Sequence, residues 1–388
     1  MALVDVGPEL DSPGTPLKIT IAFGTRPEAI KLAPVIRELR GRANVCVRVV
    51  STSQHREMVA QVLRVFDVKP DIDLDVMQPR QRLAELSSRI MTAIDQILID
   101  DRPDVLLVQG DTTSALMCGL VAFYRHVPVA HVEAGLRTDS PDTPFPEEMN
   151  RRLISTLGTW HFAPTERARR ALIAERVPQS RVFVTGNTIV DALLHIRSTE
   201  AFRAVRSPVQ AAAGERLILV TLHRRESWGA PLDGMCRALR AIADRRPDVR
   251  IVWPVHPNPT VRDAVRAALG SHSRIDVIEA TDYLSFIALM DASWIVITDS
   301  GGVQEEAPVL GRPVLVLRDS TERPEAIEEG VARLVGADPE AIVHHVLDLI
   351  DDPRKRDHMA RRVSPFGDGR AAIRIADVLT DQCASFPN

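Results

Sequence analysis

The stretch KITIAFGTRPEAIKLAPVIRELRG, Lys18–Gly41, changes its periodicity midway. Lys18–Phe23 is a short run of apolar and β-branched residues and reads as a strand. Gly24 permits a tight turn, and Pro27 stands where a helix tolerates proline, in its first turn. From there Leu32, Val35, Ile36 and Leu39 fall at i, i+3, i+4 and i+7, one face of a helix that stops near Gly41. Pro34 inside that helix is expected to cost a hydrogen bond. A strand feeding straight into a helix is half of a parallel βαβ unit, and the same alternation runs through most of the chain.

Working outward, further strands are expected near Val45–Ser51, Val105–Gln109, Val127–Val132, Thr159–Ala163 and Val182–Thr185. The second half repeats the pattern near Leu217–Leu222, Arg250–Val255, Ile275–Ile278, Ser293–Thr298 and Val314–Leu317. Between them, Arg197–Arg216 weakens in periodicity and gains Ala, Pro and Gly, which places a hinge near Thr185–Arg216. The fold class is therefore α/β: two doubly wound parallel sheets joined by a hinge, with an interdomain cleft at their strand C-terminal edges. The expected domains are 1–186 and 187–365, with a C-terminal helical segment, 366–388, packing back on the first. Ligands of such folds bind beyond the strand ends, so the loops that follow strands carry the functional question.

Composition narrows the classes. A length of 388 residues suits two domains, and a net charge of −4 with both signs mixed asks for neither nucleic acid nor a membrane surface. The longest uncharged stretch, Thr112–Tyr124, falls well short of the roughly 20 residues of a membrane span. The first residues lack a basic region leading into an apolar core, so a flexible lead-in is expected rather than a secretory signal. Cys46, Cys118, Cys236 and Cys383 form no CxxC and no Cys/His pair at metal-ligand spacing. Reduced thiols in a cytoplasmic protein without a metal are expected. The chain has no GxGxxG, no Walker lysine motif and no GxSxG, which disfavours a dinucleotide oxidoreductase, a P-loop kinase and a serine hydrolase of that type. No cofactor is expected.

Five strand-end loops concentrate chemistry. In FGTRPEAIK (Phe23–Lys31) a helix N-terminus offers free N–H groups to an anion, with Arg26 and Lys31 beside it. An ordinary turn with a surface Arg and Lys is the plainer alternative, although lysine is otherwise confined to Lys18, Lys69 and Lys355. In VQGDTTSAL (Val108–Leu116), Asp111 follows a buried strand and is either a functional acid or a helix N-cap. HVEAGLRTDSPDTPFPEEMNRR (His131–Arg152) places Glu133 at a strand end and Glu147 and Glu148 at a helix start, where acids also simply complement the dipole. TLHRRESWG (Thr221–Gly229) sets His223 after a strand with two arginines adjoining, and WPVHPNP (Trp253–Pro259) repeats the arrangement at His256 with less around it. TDSGGVQEEAPVLGRPVL (Thr298–Leu315) ends a strand and opens a helix at Ser300, Gly301 and Gly302, an arrangement suited to a diphosphate. Glu306, one turn on, is placed to accept from ribose hydroxyls.

The ordered set FGTRPEAIK, SQHREM, QGDTT, HVEAGLRT, PEEMNR, TGN, HRRES, PVHPNP, TDSGGVQEEA and RPEAIEEG resembles the non-hydrolysing UDP-N-acetylglucosamine 2-epimerases over roughly residues 18–375. The resemblance implies two Rossmann-like domains in a glycosyltransferase-B-type arrangement, and interconversion of UDP-GlcNAc and UDP-ManNAc. It implies Asp111, Glu133, Glu147 and His223 as the essential acids and histidine. Ser300, Gly301, Gly302 and Glu306 would hold diphosphate and ribose, Phe286 would lie against uracil, and Arg26 would meet phosphate with Lys31 nearby. Gln54, His55, Arg56, Arg224 and His256 match positions lining a second UDP-GlcNAc site that activates the first, and a homodimer is implied. Leu222 stands where many members carry glycine, and Ser364 and Phe366 where asparagine and tyrosine are usual. These departures bear on the sugar pocket and leave the acids and histidine in place.

The chemistry matches the residue types. A C2 proton remote from a carbonyl leaves readily only if a good leaving group departs from C1, and return of the proton from the other face needs acids on both sides. Domain closure is expected to assemble this site. Three rivals share the sequence features: a hydrolysing epimerase, a glycosyltransferase of the same architecture, and a silent UDP-sugar-binding regulator. The first in its bifunctional form needs a kinase domain, the second needs one base rather than three strand-end acids, and the third has no need of Asp111, Glu133, Glu147 and His223 together.

Overall fold

The computed structural model describes residues 16–383 apart from 53–55, 79–80, 139, 223–228 and 362–363, and side chains also excepting 56–58, 61 and 230. The chain divides into two compact units, one running to Ala192 and resuming at Gly367, the other spanning Leu193–Phe366.

The first unit holds β1 (Leu17–Phe23), β2 (Val45–Ser51), β3 (Ile72–Asp73), β4 (Val105–Gln109), β5 (Val129–Val132), β6 (Trp160–Ala163) and β7 (Val182–Val184). They form one sheet in the order β3-β2-β1-β4-β5-β6-β7, and every pairing is parallel. β4 is buried along its whole length, as expected for a strand covered by helices on both faces. The second unit holds β8 (Arg216–Thr221), β9 (Val249–Pro254), β10 (Ile275–Ile278), β11 (Ile295–Thr298), β12 (Val314–Val316) and β13 (Ala332–Leu334). Their order is β10-β9-β8-β11-β12-β13, again all parallel.

Each sheet has a core of its own. Ile90, Ile94 and Leu98 of the helix Leu83–Asp101 pack with Leu106, Val108 and Val121 in the first unit. Leu239, Ile242, Val346 and Leu349 cover Ile218, Ile251 and Trp253 in the second.

Strand order reverses between β1 and β4 in the first unit and between β8 and β11 in the second. The chain leaves β1 towards one side and β4 towards the other, so the loops after these strands part and open a crevice. Register brings Ile21 opposite Leu107 and Thr221 opposite Thr298, which fixes the loops just beyond them.

The segment from Thr185 to Arg216, expected to hold the hinge, carries the helices Thr188–Ser198 and Glu200–Ala204. The edge strands β3 and β13 fall outside the expected set of strands. Pro34 sits inside the helix Arg26–Arg40 without ending it.

Candidate active site

In the first unit, β1 ends at Phe23 and the chain turns at Gly24. A Cβ there would come within 2.4 Å of Thr52 Oγ1 and 2.5 Å of Ser114 Oγ, so only glycine lets the loop lie this close to its neighbours. Arg26 opens the following helix and is half-buried. Lys31, five residues on, is buried and forms an ion pair with Glu133; both side chains are 7% exposed. Asn187 Nδ2 donates to the same Glu133 oxygen at 3.1 Å.

Glu133 follows β5 directly and holds φ at +65°. A non-glycine residue in the left-handed region costs of order 1 kcal/mol or more, and such strain persists only where the surroundings over-determine it. Here the strain turns the carboxylate to Lys31 and Asn187.

Asp111 follows β4 after Gly110. The helix Thr113–Tyr124 is capped by Thr112, whose hydroxyl accepts from Ala115 N at 3.0 Å, so the N-cap reading of Asp111 does not hold. The Asp111 carboxylate instead pairs with Arg151, which also reaches Glu148 at 3.2 Å, and Asn150 Nδ2 donates to Asp111 O at 2.9 Å. Glu148 is wholly buried and accepts from Arg152 Nε at 2.8 Å and Thr138 N at 3.2 Å. It holds the loop of the 131–152 stretch to its helix. Glu147 is half-buried at the first position of the helix Glu147–Leu157.

Beneath these acids lie two buried histidines, His131 on β5 and His161 opposite it on β6. Burial pushes His131 down to about 4, and His131 Nε2 lies 2.7 Å from Gly110 O. Burial, with His131 nearby, pushes His161 down to about 3. A neutral His131 thus donates to the carbonyl just before Asp111.

In the second unit, β11 ends at Thr298, Asp299 is buried, and Ser300 precedes the helix Gly301–Val309. Thr298 Oγ1 lies 2.6 Å from Thr221 Oγ1 and accepts from Ser300 N at 2.9 Å, which locks β8 to β11 at their ends. Arg323 lies against this helix start: a Cβ on Gly301 would come within 2.6 Å of its Nη1. Its Nε donates to Glu305 at 2.6 Å, its Nη1 pairs with Glu322 at 2.7 Å, and Arg318 pairs with Glu322 at 2.7 Å. Burial opposes the Glu322 charge, but Arg323 and Arg318 overcome it and hold the carboxyl far below the usual range. Glu306 is buried and accepts from Tyr283 Oη at 2.7 Å. Tyr283 starts the helix Tyr283–Ala292 that carries Phe286, half-buried, so one bond ties the expected ribose and uracil positions together.

His256 is half-buried, and its Nδ1 accepts from Asn258 N at 3.1 Å. Gln54, His55, His223 and Arg224 lie outside the described residues, as does the side chain of Arg56. Among the described residues no group of His, Cys, Asp and Glu side chains could hold a metal ion, and no helix is long and apolar enough to cross a membrane. Glu28, Asn187, Tyr283 and the Arg323 network are not singled out by sequence reasoning, although Glu28, Asn187 and Arg323 lie in quoted motifs and Tyr283 lies three residues before Phe286.

In the first unit Lys31 and Glu133 meet, Asp111 and Glu133 stand just beyond β4 and β5, and Arg26 and Glu147 open helices. Ser300, Gly301, Gly302, Glu306 and Phe286 belong to the second. The first set can move protons and meet an anion, and the second offers N–H groups and hydrogen-bond acceptors.

A family model described as UDP-N-acetylglucosamine 2-epimerase matches residues 37–380. The chain is 48% identical over 373 residues to the UDP-N-acetylglucosamine 2-epimerase of Escherichia coli (strain K12), covering 94% of this chain and 98% of that protein. It is similar to the crystal structure of the UDP-GlcNAc 2-epimerase from Neisseria meningitidis bound to UDP-GlcNAc: TM-score 0.87, 42% identity, 94% of this chain and 100% of that one. The Methanocaldococcus jannaschii UDP-GlcNAc 2-epimerase, in complex with UDP-GlcNAc and UDP, matches with TM-score 0.81 and 34% identity over 94% of this chain and 100% of that one.

Proposed function

The chain belongs to the UDP-N-acetylglucosamine 2-epimerase family, and from that premise we propose that it interconverts UDP-GlcNAc and UDP-ManNAc reversibly, without net hydrolysis. In the first half-reaction the C2–H and C1–O bonds break. A carboxylate takes the proton, UDP leaves with the bonding pair of the C1–O bond, and a C1=C2 double bond forms the 2-acetamidoglucal. In the second, a β-phosphate oxygen of UDP attacks C1 and a carboxylic acid returns a proton to C2 on the opposite face.

Asp111, Glu133 and Glu147 share the proton transfers, which need groups on both faces. Arg26 and His223 stabilise the charge that builds on the departing diphosphate. Ser300, Gly301, Gly302 and Glu306 hold diphosphate and ribose, and Phe286 lies against uracil. Gln54, His55, Arg56, Arg224 and His256 take a second UDP-GlcNAc as activator. No cofactor enters this scheme.

The observation that carries the reading is Glu133. A buried carboxylate at a strand end, held in a left-handed backbone by Lys31 and Asn187, is suited to proton work and has no evident use in a fold that merely binds a nucleotide. Proton NMR of UDP-GlcNAc with the protein in deuterated water tests it. UDP-ManNAc bearing deuterium at C2 is expected. Free ManNAc plus UDP would instead mean hydrolysis, and no exchange with UDP-GlcNAc in excess would overturn the reading.

A further inference from the structure

Glu28 is buried in the first turn of the helix Arg26–Arg40, and no proton transfer has been assigned to it. Its two oxygens reach two different loops. Oε2 accepts from Gly24 N at 3.2 Å, Thr25 N at 2.7 Å and Thr25 Oγ1 at 2.7 Å, all in the loop after β1. Oε1 meets Thr112 Oγ1 at 2.8 Å, 84 residues further along the chain in the loop after β4. That hydroxyl is itself fixed, because it also caps the next helix by accepting from Ala115 N. Arg26 follows Thr25, and Asp111 precedes Thr112. The two loops flank the point where strand order reverses, where backbone hydrogen bonds between strands no longer hold them together.

We propose that Glu28 is a positioning residue that clamps the loops after β1 and β4 and so fixes Arg26 relative to Asp111. The proposal rests on the epimerase reading given above. A cap alone would need Glu28 to reach its own loop and nothing more; the bond to Thr112 joins two catalytic loops through one rigid, buried side chain.

Burial pushes the Glu28 carboxyl up to about 7 against the bonds from Thr25, Thr112 and Gly24. Loss or gain of the proton leaves the clamp intact. As a neutral acid, Oε1–H donates to Thr112 Oγ1 while Oε2 keeps its three donors. A glutamine amide reproduces that pattern, with its NH₂ group in the place of Oε1. Alanine removes both arms, and aspartate is one methylene too short to reach both loops.

The test compares kcat and KM for UDP-GlcNAc in wild type, Glu28→Gln, Glu28→Asp and Glu28→Ala, with folding followed by circular dichroism. Glu28→Gln should stay within about threefold of wild type, while Glu28→Ala and Glu28→Asp lose about 10- to 100-fold, mainly in kcat, as misplacement near 1 Å does. Thr112→Val should lose turnover and Thr112→Ser keep it; this pair decides the matter if Glu28→Ala does not fold. A crystal structure of Glu28→Ala or Thr112→Val should show the Thr25 and Thr112 segments displaced. A folded Glu28→Ala enzyme with wild-type kcat would overturn the proposal. So would a Glu28→Gln variant as damaged as Glu28→Ala, since that would give the carboxylate a chemical role. If wild type itself leaves UDP-GlcNAc unchanged, the epimerase reading fails, and the crystal structures still decide whether the clamp exists.

Discussion

The two units share a topology and differ at their strand ends. In the first, carboxylates stand at the ends of β4 and β5 and are met one by one by cations: Asp111 by Arg151, Glu133 by Lys31. In the second, the end of β11 carries Ser300, Gly301 and Gly302, and the charges lie below, where Arg323 and Arg318 balance Glu305 and Glu322. On the proposed reading, the single charges of the first unit serve proton transfer. We propose that the charge-balanced buttress of the second unit leaves its helix N-terminus to meet an anion. On that proposal one fold serves two tasks through the loops beyond its strands.

The largest effect expected from this contrast is catalytic. Asp111→Asn and Glu133→Gln should each cost about 10²- to 10⁴-fold in turnover, read by NMR, while calorimetric UDP binding stays within threefold. Equal loss of binding and turnover would dissolve the distinction between the units.

In the second unit, Arg323→Met takes the buried cation away from Glu305 and leaves Glu322 to Arg318. Losing one partner of a buried pair costs about 3–5 kcal/mol, to be measured by denaturant unfolding. Arg323→Lys should not rescue it, because one ammonium cannot span both carboxylates as the guanidinium does.

Acid should separate the units as well. His131 and His161 hold folded values of about 4 and 3, below the ordinary 6.5. The unfolded chain therefore binds more protons between those values, so their stabilisation is complete above pH 6.5 and is lost as pH falls towards 4. The loss is on the order of a few kcal/mol. Glu28, raised to about 7, opposes this over pH 4.5–7, and the two histidines outweigh it. Hydrogen exchange, corrected for intrinsic rates, should show β5 and β6 losing protection at pH 5 before β8 and β11 do. Simultaneous loss in both sheets would contradict the assignment.

The smallest effect sharpens the glycine pair. Gly301→Ala drives a Cβ into Arg323 and should cost about 1–3 kcal/mol. A Cβ on Gly302 meets nothing within 4 Å, so Gly302→Ala should leave unfolding unchanged and weaken only UDP binding.

Much of this fold is legible in sequence because its central strands are buried on both faces and read as apolar runs, as Val105–Gln109 does. The edges are less so: β3 has two residues and β13 carries Arg333, and neither is long enough to show a period. The helix Thr188–Ser198 opens on Thr188, Ile189 and Val190, which favour extended structure locally; burial of Ile189, Val190 and Ile196 decides otherwise. At the site, Asp111 and Glu133 are visible as polar residues that end apolar strands. Glu28 is not, because Thr25 and Glu28 have the spacing of an ordinary helix cap, and the bond to Thr112 exists only once β1 and β4 are neighbours. The Arg323 network is hidden for the same reason.

The central claim, reversible breaking of the C1–O bond, is tested most directly with UDP-GlcNAc carrying ¹⁸O in the bridge between C1 and the β-phosphorus. Phosphorus NMR during turnover should show the label moving from the bridge into the non-bridging β-phosphoryl positions, at a rate no slower than appearance of UDP-ManNAc. Label that stays in the bridge while the C2 configuration inverts would contradict the account.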